Sequence, residues 1–129
     1  MIPIYLAALL VCFLSSKALA GAPEIGPFLF PRQLNAGMRA SVQCAVTIGD
    51  PPFEFTWFKD GQKLVESSGV STRKIDDFTS NLVISKVEAG SNGNYTCKVS
   101  NSAGFDHKSA VLSVKGIRLF VYFFLRHKQ

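Results

Sequence analysis

Histidine is scarce in this chain, with only His107 and His127. Neither stands where strand alternation would bring a Ser, Cys or Asp beside it, so no nucleophile–base pair can be assembled around either. His107 is expected to be a solvated residue. There is no glycine-rich phosphate loop and no cluster of metal ligands at workable spacing. The adjacent acids Asp76-Asp77 read as a polar turn, not as a catalytic carboxylate pair. These absences predict that the protein is not an enzyme and takes no cofactor, no metal and no small-molecule substrate. A surplus of positive charge is also missing where it would matter. The formal net charge is +5. Setting aside Lys17 near the start and Arg118, Arg126 and Lys128 near the end leaves ten basic against nine acidic residues over 21–115. A nucleic-acid surface needs clustered positive charge in the folded part, so no nucleic-acid partner is expected.

No apolar run is long enough to cross a bilayer, which takes ~20 residues. The run Ile4 to Leu14 carries no charge and is followed by Ser15-Ser16-Lys17-Ala18-Leu19-Ala20, which ends in a small-x-small pattern. This predicts a secretory leader over 1–20, cleavage after Ala20 and a mature chain beginning at Gly21 in an extracellular setting. Cysteine is the second scarcity. Of three in the chain, Cys12 lies in the leader run, leaving Cys44 and Cys97. An even pair in an oxidising compartment predicts a disulfide. Zinc is the competing use, but two cysteines without further ligands nearby cannot complete a four-ligand site.

Long helical periodicity is absent too; what is present is alternation. Met38, Ala40, Val42, Cys44 and Val46 fall on one side of an expected strand, with Arg39, Ser41, Gln43, Ala45 and Thr47 on the other. Gly49-Asp50-Pro51-Pro52 breaks the pattern. Phe53, Phe55 and Trp57 form the next inward set, and Asp60-Gly61 marks a tight hairpin in which both central residues take positive φ. Leu82 and Ile84, then Tyr95, Cys97 and Val99, then Ala110, Leu112 and Val114 supply further inward sets, with Asn101-Ser102-Ala103-Gly104 as a turn. Many short strands separated by turns define an all-β antiparallel sandwich or barrel.

Four residues choose between those two. Cys44 and Cys97 face inward on separate strands, 53 positions apart. Trp57 lies inward on the strand between, 13 residues after Cys44, and Tyr95 sits two before Cys97. This is the spacing of an immunoglobulin-like β-sandwich: one inter-sheet disulfide against a buried indole, with a tyrosine whose hydroxyl returns to upstream backbone. The expected core is built on Trp57, Tyr95 and Leu82. The domain is expected over 21–115.

The run Ser91-Asn92-Gly93-Asn94-Tyr95-Thr96-Cys97 resembles the D-S-G-x-Y-x-C signature of intermediate-set immunoglobulin domains. Ser91 replaces the family's Asp, which usually pairs with an Arg near strand D. Arg73 could occupy that place here, and a Ser–Arg hydrogen bond would be the weaker substitute. Pro27-Phe28-Leu29-Phe30-Pro31, Leu34, Gly37-Met38-Arg39, Val42-Gln43-Cys44, Gly49-Asp50-Pro51-Pro52 and Trp57-Phe58-Lys59-Asp60-Gly61 resemble the ectodomains of Down syndrome cell adhesion molecules. That resemblance implies protein partners, with homophilic adhesion first and soluble immune recognition as the alternative. A truncated fragment of a larger adhesion receptor is the structural alternative.

Three surface features remain. Asn94-Tyr95-Thr96 is an N-x-[ST] sequon, and alternation turns Asn94 outward, where a glycan could attach. Ala45 and Val83 are apolar at outward positions of one sheet. With Arg39 and Arg73 as rim, they form a candidate binding face. The tail 116–129 crowds Ile117, Leu119, Phe120, Val121, Tyr122, Phe123, Phe124 and Leu125 into nine positions before Arg126-His127-Lys128. It is too short to span a bilayer. It is expected to stand outside the fold, as read-through of an intron or a truncated gene model, and not to serve as a membrane contact.

The cysteine reading is directly testable. The exported protein should contain no free thiol, and Cys97→Ser should abolish or severely reduce its export. That change leaves Cys44 unpaired and removes a loop restraint of ~4 kcal/mol. Two titratable thiols in correctly folded protein, counted by mass after alkylation, would defeat the expectation.

Overall fold

The computed structural model describes residues 19–115. The expected leader up to Ala18 and the tail 116–129 lie outside the described residues. The expected cleavage point between Ala20 and Gly21 lies within them.

Among the described residues, ten strands form two facing sheets and a short accessory pair. The first sheet has the order β1 (Glu24–Ile25), β3 (Ala40–Ile48), β7 (Thr79–Ile84), β6 (Val70–Asp76). The second has the order β5 (Gln62–Lys63), β4 (Glu54–Lys59), β8 (Gly93–Asn101), β9 (Gly104–Leu112). All pairings within both sheets are antiparallel. β2 (Leu34–Asn35) pairs in parallel with β10 (Val114–Lys115). This is the expected immunoglobulin-like antiparallel sandwich, with the Cys44–Cys97 disulfide joining β3 to β8 between the sheets.

Local sequence explains the corners. Asp60 and Gly61 take φ of 50° and 79°, the double left-handed geometry of a two-residue hairpin. Gly49, at φ 126°, leaves room for the N-terminal segment: a Cβ there would stand 2.8 Å from Pro23 Cα. In the β6–β7 turn the Asp76 carboxylate accepts the Phe78 amide at 2.8 Å, which is the polar turn anticipated at Asp76-Asp77.

The core follows the alternation. Cys44, Cys97, Val99, Leu82 and Val87 are fully buried, and Tyr95, Leu34, Ile84 and Leu112 nearly so. Trp57 is buried and donates its indole N–H to Ser80 Oγ at 3.0 Å, a hydrogen bond from β4 across to β7. Three positions depart from the pattern, and Val114, on the short β10, is one of them, only partly buried. Met38 is 44% exposed, because the β3–β7 ladder begins only at Ala40 opposite Ile84. Met38 instead follows the Gly37 turn, its carbonyl accepting the Val87 amide at 2.8 Å. Phe55 is only partly buried, since it lies on the open side of the core facing the cleft between the sheets.

Phe28 and Phe30 lie in the segment that resembles the adhesion-molecule ectodomains, outside the alternating strands. They are buried and complete the core. Pro27-Phe28-Leu29-Phe30-Pro31 belongs to no ladder and alternates in, out, in, with Leu29 83% exposed. Phe28 meets the Trp57 ring edge-on at 5.6 Å and Phe30 meets Tyr95 at 5.3 Å. Such pairs contribute ~0.5–1.5 kcal/mol beyond area burial.

Trp57→Ala should therefore cost ~3–5 kcal/mol in urea unfolding, because the cavity opens against both the disulfide and Phe28. Ser80→Ala should cost ~1–3 kcal/mol by leaving the buried indole N–H without an acceptor. A loss below ~1 kcal/mol for Trp57→Ala would remove Trp57 from the centre of the core.

Candidate binding faces

The described residues contain no group of three or more His, Cys, Asp or Glu able to hold a metal. Clefts lie along the sides of the sandwich. One, of about 440 Å³, runs beside Phe55, Trp57, Lys63, Thr72 and Lys74. Two broad sheet faces are also available to a partner.

The outer face of the first sheet carries the residues picked from the sequence, but it does not bring them all together. Register sets Val83 between Ser41 on β3 and Ser71 on β6. Asn81 lies between Gln43 and Arg73, and Ala45 is opposite Thr79. Ala45 and Val83 are thus four residues apart along the sheet, roughly 14 Å at strand rise. They do not touch, and the centre between them is polar. Arg73 is diagonal to Val83. Arg39 is exposed just before β3 begins. The side-chain oxygen of Asn81 is buried without a hydrogen-bond partner among the described residues.

The second sheet presents a face that the sequence reading did not select. Phe105 is 61% exposed and Val111 68% exposed, both on β9. Lys98 of β8 places its ammonium 4.7 Å from the Phe105 ring centre. The His107 ring stacks along Phe105 at 6.4 Å, so the residue expected to be merely solvated has an aromatic neighbour. The signal was available in the alternation of β9, where Phe105, His107, Ser109 and Val111 share one face. Asn94 is exposed on the same face, in register with Val111. Its backbone N–H is held by the Asp60 carboxylate at 2.9 Å. The sequon's Thr96 hydroxyl lies 2.6 Å from Ser109 Oγ.

Near the start of β8 the tyrosine closes the lower turn. Tyr95 Oη donates to the Ser91 carbonyl at 2.7 Å. The Ser91 hydroxyl accepts the Glu88 amide at 2.9 Å. It is engaged in the turn at Ala89–Ser91, and no hydrogen bond to Arg73 forms among the described residues. The Ser–Arg substitute for the family ion pair is therefore not made; Arg73 lies across the sheet from Asn81. Burial pushes the Tyr95 phenol above its ordinary range, and the Asp60 carboxylate adds to the shift.

Against this geometry, residues 23–114 match the immunoglobulin I-set domain. The chain belongs to the immunoglobulin I-set family. Among curated proteins it is 39% identical over 93 residues to the cell adhesion molecule Dscam2 of Drosophila melanogaster, and 44% identical over 91 residues to human DSCAM. Those matches take in 72% and 70% of this chain but 4% of either relative. The chain thus spans a small fraction of the length of the adhesion molecules it resembles. Among solved structures, the Dscam1 Ig7 domain (isoform 5) superposes with a TM-score of 0.70 at 32% identity, over 73% of this chain and 97% of that domain. The titin I-band fragment I67–I69 superposes at 0.66 and 33% identity, over 75% of this chain and 33% of the fragment. The fold, the disulfide and the Dscam-like kinship agree.

Tyr95 yields a pH prediction. Its folded phenol titrates above the unfolded value, so its contribution to stability is complete below about pH 10 and is lost as pH rises through the folded value. Phenol absorbance of the native protein should show one group titrating above that range. Tyr95→Phe should remove that group and flatten the alkaline fall in stability. A folded wild type in which every tyrosine titrates at ordinary pH would contradict the burial argument.

Proposed function

We infer that this chain is an exported recognition module of the adhesion type, binding protein surfaces without chemistry, with a second copy of itself as the leading partner. The observation that carries this reading is the kinship with Dscam2 and DSCAM, whose names declare cell adhesion, across nearly the whole folded part. Soluble immune recognition is the alternative within the same class. A fragment of a larger receptor is the structural alternative, supported by the small share of the relatives that the chain spans.

The proposed binding face is that of the first sheet, through Arg39, Ala45, Arg73 and Val83. Its centre is the Val83 and Arg73 side, with Gln43 and Asn81 adjoining. A glycan at Asn94 belongs to the same proposal. It would stand beside Val111 and shield that end of the second sheet, leaving the first sheet open. Phe105, exposed and capped by Lys98, supports a second reading in which the β8–β9 face makes the contact.

Two-fold pairing sets a patch opposite itself, so one substitution acts twice in a dimer. Val83→Asp should dissolve a dimer of micromolar affinity, since opposed like charges cost several kcal/mol. Phe105→Asp and Lys98→Asp should leave such a dimer intact. Sedimentation of the exported wild type and the three variants distinguishes the readings, with circular dichroism checking each fold. Loss on Phe105→Asp or Lys98→Asp alone moves the interface to β8–β9. A wild type that stays monomeric at high micromolar concentration ends the homophilic reading.

A further inference from the structure

Three distant parts of the chain converge at the end of the sandwich where the expected mature chain begins. Asp50, in the turn between β3 and β4, accepts the Gly21 N–H on Oδ2 at 2.7 Å. It returns its own N–H to the Gly21 carbonyl at 3.1 Å. Asn101, at the end of β8, donates its side-chain amide to the Gly21 carbonyl at 2.7 Å and to the Asp50 carbonyl at 3.0 Å. Its side-chain oxygen in turn accepts the Ala103 and Gly104 amides at 2.9 and 3.1 Å. Space is tight around this junction. A Cβ on Gly21 would stand 3.3 Å from Asp50 Oδ2, and one on Gly49 would overlap Pro23. Immediately upstream, Ala20 is exposed and Leu19 is 94% exposed. The fold thus grips Gly21 itself and releases the residues before it.

We propose that the Ala20–Gly21 bond is the processing site and that cutting it completes this junction, because the new Gly21 ammonium becomes an ion pair with Asp50. The step is a hydrolysis by the leader-removing peptidase. Water adds across the amide, the C–N bond breaks, Ala20 leaves as a carboxylate, and the amide nitrogen becomes the ammonium of Gly21. No electrons are exchanged. A single neutral N–H donor is replaced by a charged group with three, already at hydrogen-bond distance from a carboxylate, and such charge-assisted bonds are the stronger kind. Small residues at the cut suit a peptidase, while the absence of a side chain on Gly21 suits Asp50. One glycine meets both demands.

The charges around the new ammonium favour it on balance. Asp50 is in direct contact from the β3–β4 turn, and Asn101 from β8 is neutral. Farther along the same edge, Glu24 of β1, Asp106 of β9 and Lys108 of β9 line the adjoining groove. Asp106 is itself engaged, accepting the Ile25 amide at 2.8 Å. The ammonium form is held by Asp50, so the α-amine should titrate above its ordinary range of about 7.7–8.0. A base whose folded value is raised contributes fully below its unfolded value, and the contribution disappears as pH rises through the folded value.

The proposal rests on the reading that the chain is exported, and its test keeps the two apart. The full chain is expressed with its own leader in secretory eukaryotic cells, and the secreted protein's N-terminus is read by mass spectrometry. Gly21 is the expected first residue. The α-amine midpoint is then measured by competitive labelling with acetic anhydride across the neutral and alkaline range. Wild type should lie at least about half a unit above the ordinary α-amine value, and Asp50→Asn should return to it. In urea, wild type should be the more stable of the two below that range and lose its advantage above it. Should Asp50→Asn fail to fold, Nα-acetylated wild type, which has no titratable α-amine, takes its place in the urea comparison. A secreted chain cut elsewhere, or an amine midpoint that is ordinary and unchanged by Asp50→Asn, overturns the ion pair while leaving secretion and adhesion untouched. An uncut chain retained in the cell overturns this proposal and the export reading together. A monomer with a raised amine midpoint ends only the homophilic reading.

Discussion

The Cys44–Cys97 bond joins the middle strands of the two sheets, and the rest of the core is arranged around it. Its cysteines are 53 residues apart, with a Cα separation of 6.4 Å. A closed loop of that length removes roughly 4 kcal/mol of freedom from the unfolded chain on the entropy model. Domains of this size are stable by only about 5–15 kcal/mol, so one covalent link is a large share of the whole. The bond also fixes register. Cys44 faces Ser80 across one sheet, and Cys97 faces Trp57 across the other. The residues beside the sulfurs are therefore the ones that must match between sheets, and the Trp57–Ser80 hydrogen bond spans that gap.

Polar links extend the same constraint outward. Asp106 on β9 holds the Ile25 amide on β1 and ties the second sheet to the first at the edge. Tyr95 pins the turn at Ala89–Ser91 beneath β8. The strap carrying Phe28 and Phe30 closes the side that no strand covers, packing on Trp57 and Tyr95, the aromatic residues nearest Cys97 in the second sheet. Each link is modest by itself. Together they leave the sheets little freedom to slide, because every cross-sheet contact is keyed to one register.

The architecture was legible because its signals are local and redundant. Alternation, turn residues and the Cys–Trp–Tyr–Cys spacing all pointed to one arrangement. What escaped was set by geometry that sequence distance hides. Met38 fits the alternation of β3, yet the ladder starts two residues later, so pairing and not hydropathy decides its exposure. Phe28 and Phe30 lie outside any strand, and only the space between the sheets identifies them as core. Ala45 and Val83 share a face on parity alone, but parity says nothing of position along the strand, and register separates them. Phe105 was passed over because an isolated aromatic in an edge strand gives no sign of a lysine arriving from the neighbouring strand.

The edges of the sheets bear on how such a domain can meet a partner. An exposed strand edge is a template for adding another strand, and folded proteins blunt it. Here β6 carries a register shift between Lys74 and Asp76, which breaks the ladder a new strand would need, and it presents Arg73, Lys74 and Asp76 in close succession. At the other edge, β9 is held against β1 by Asp106, and the short β2–β10 pair occupies the continuation of the chain. Strand addition is therefore disfavoured at β6 and β9, which leaves the sheet faces as surfaces where side chains and not backbone groups would make a contact. The two faces differ in kind. One offers a polar row of Gln43, Asn81 and Arg73 beside Val83, and the other an exposed aromatic under a lysine. A face whose centre is polar gains specificity chiefly from matched hydrogen bonds and charge, whereas the aromatic one gains from buried area.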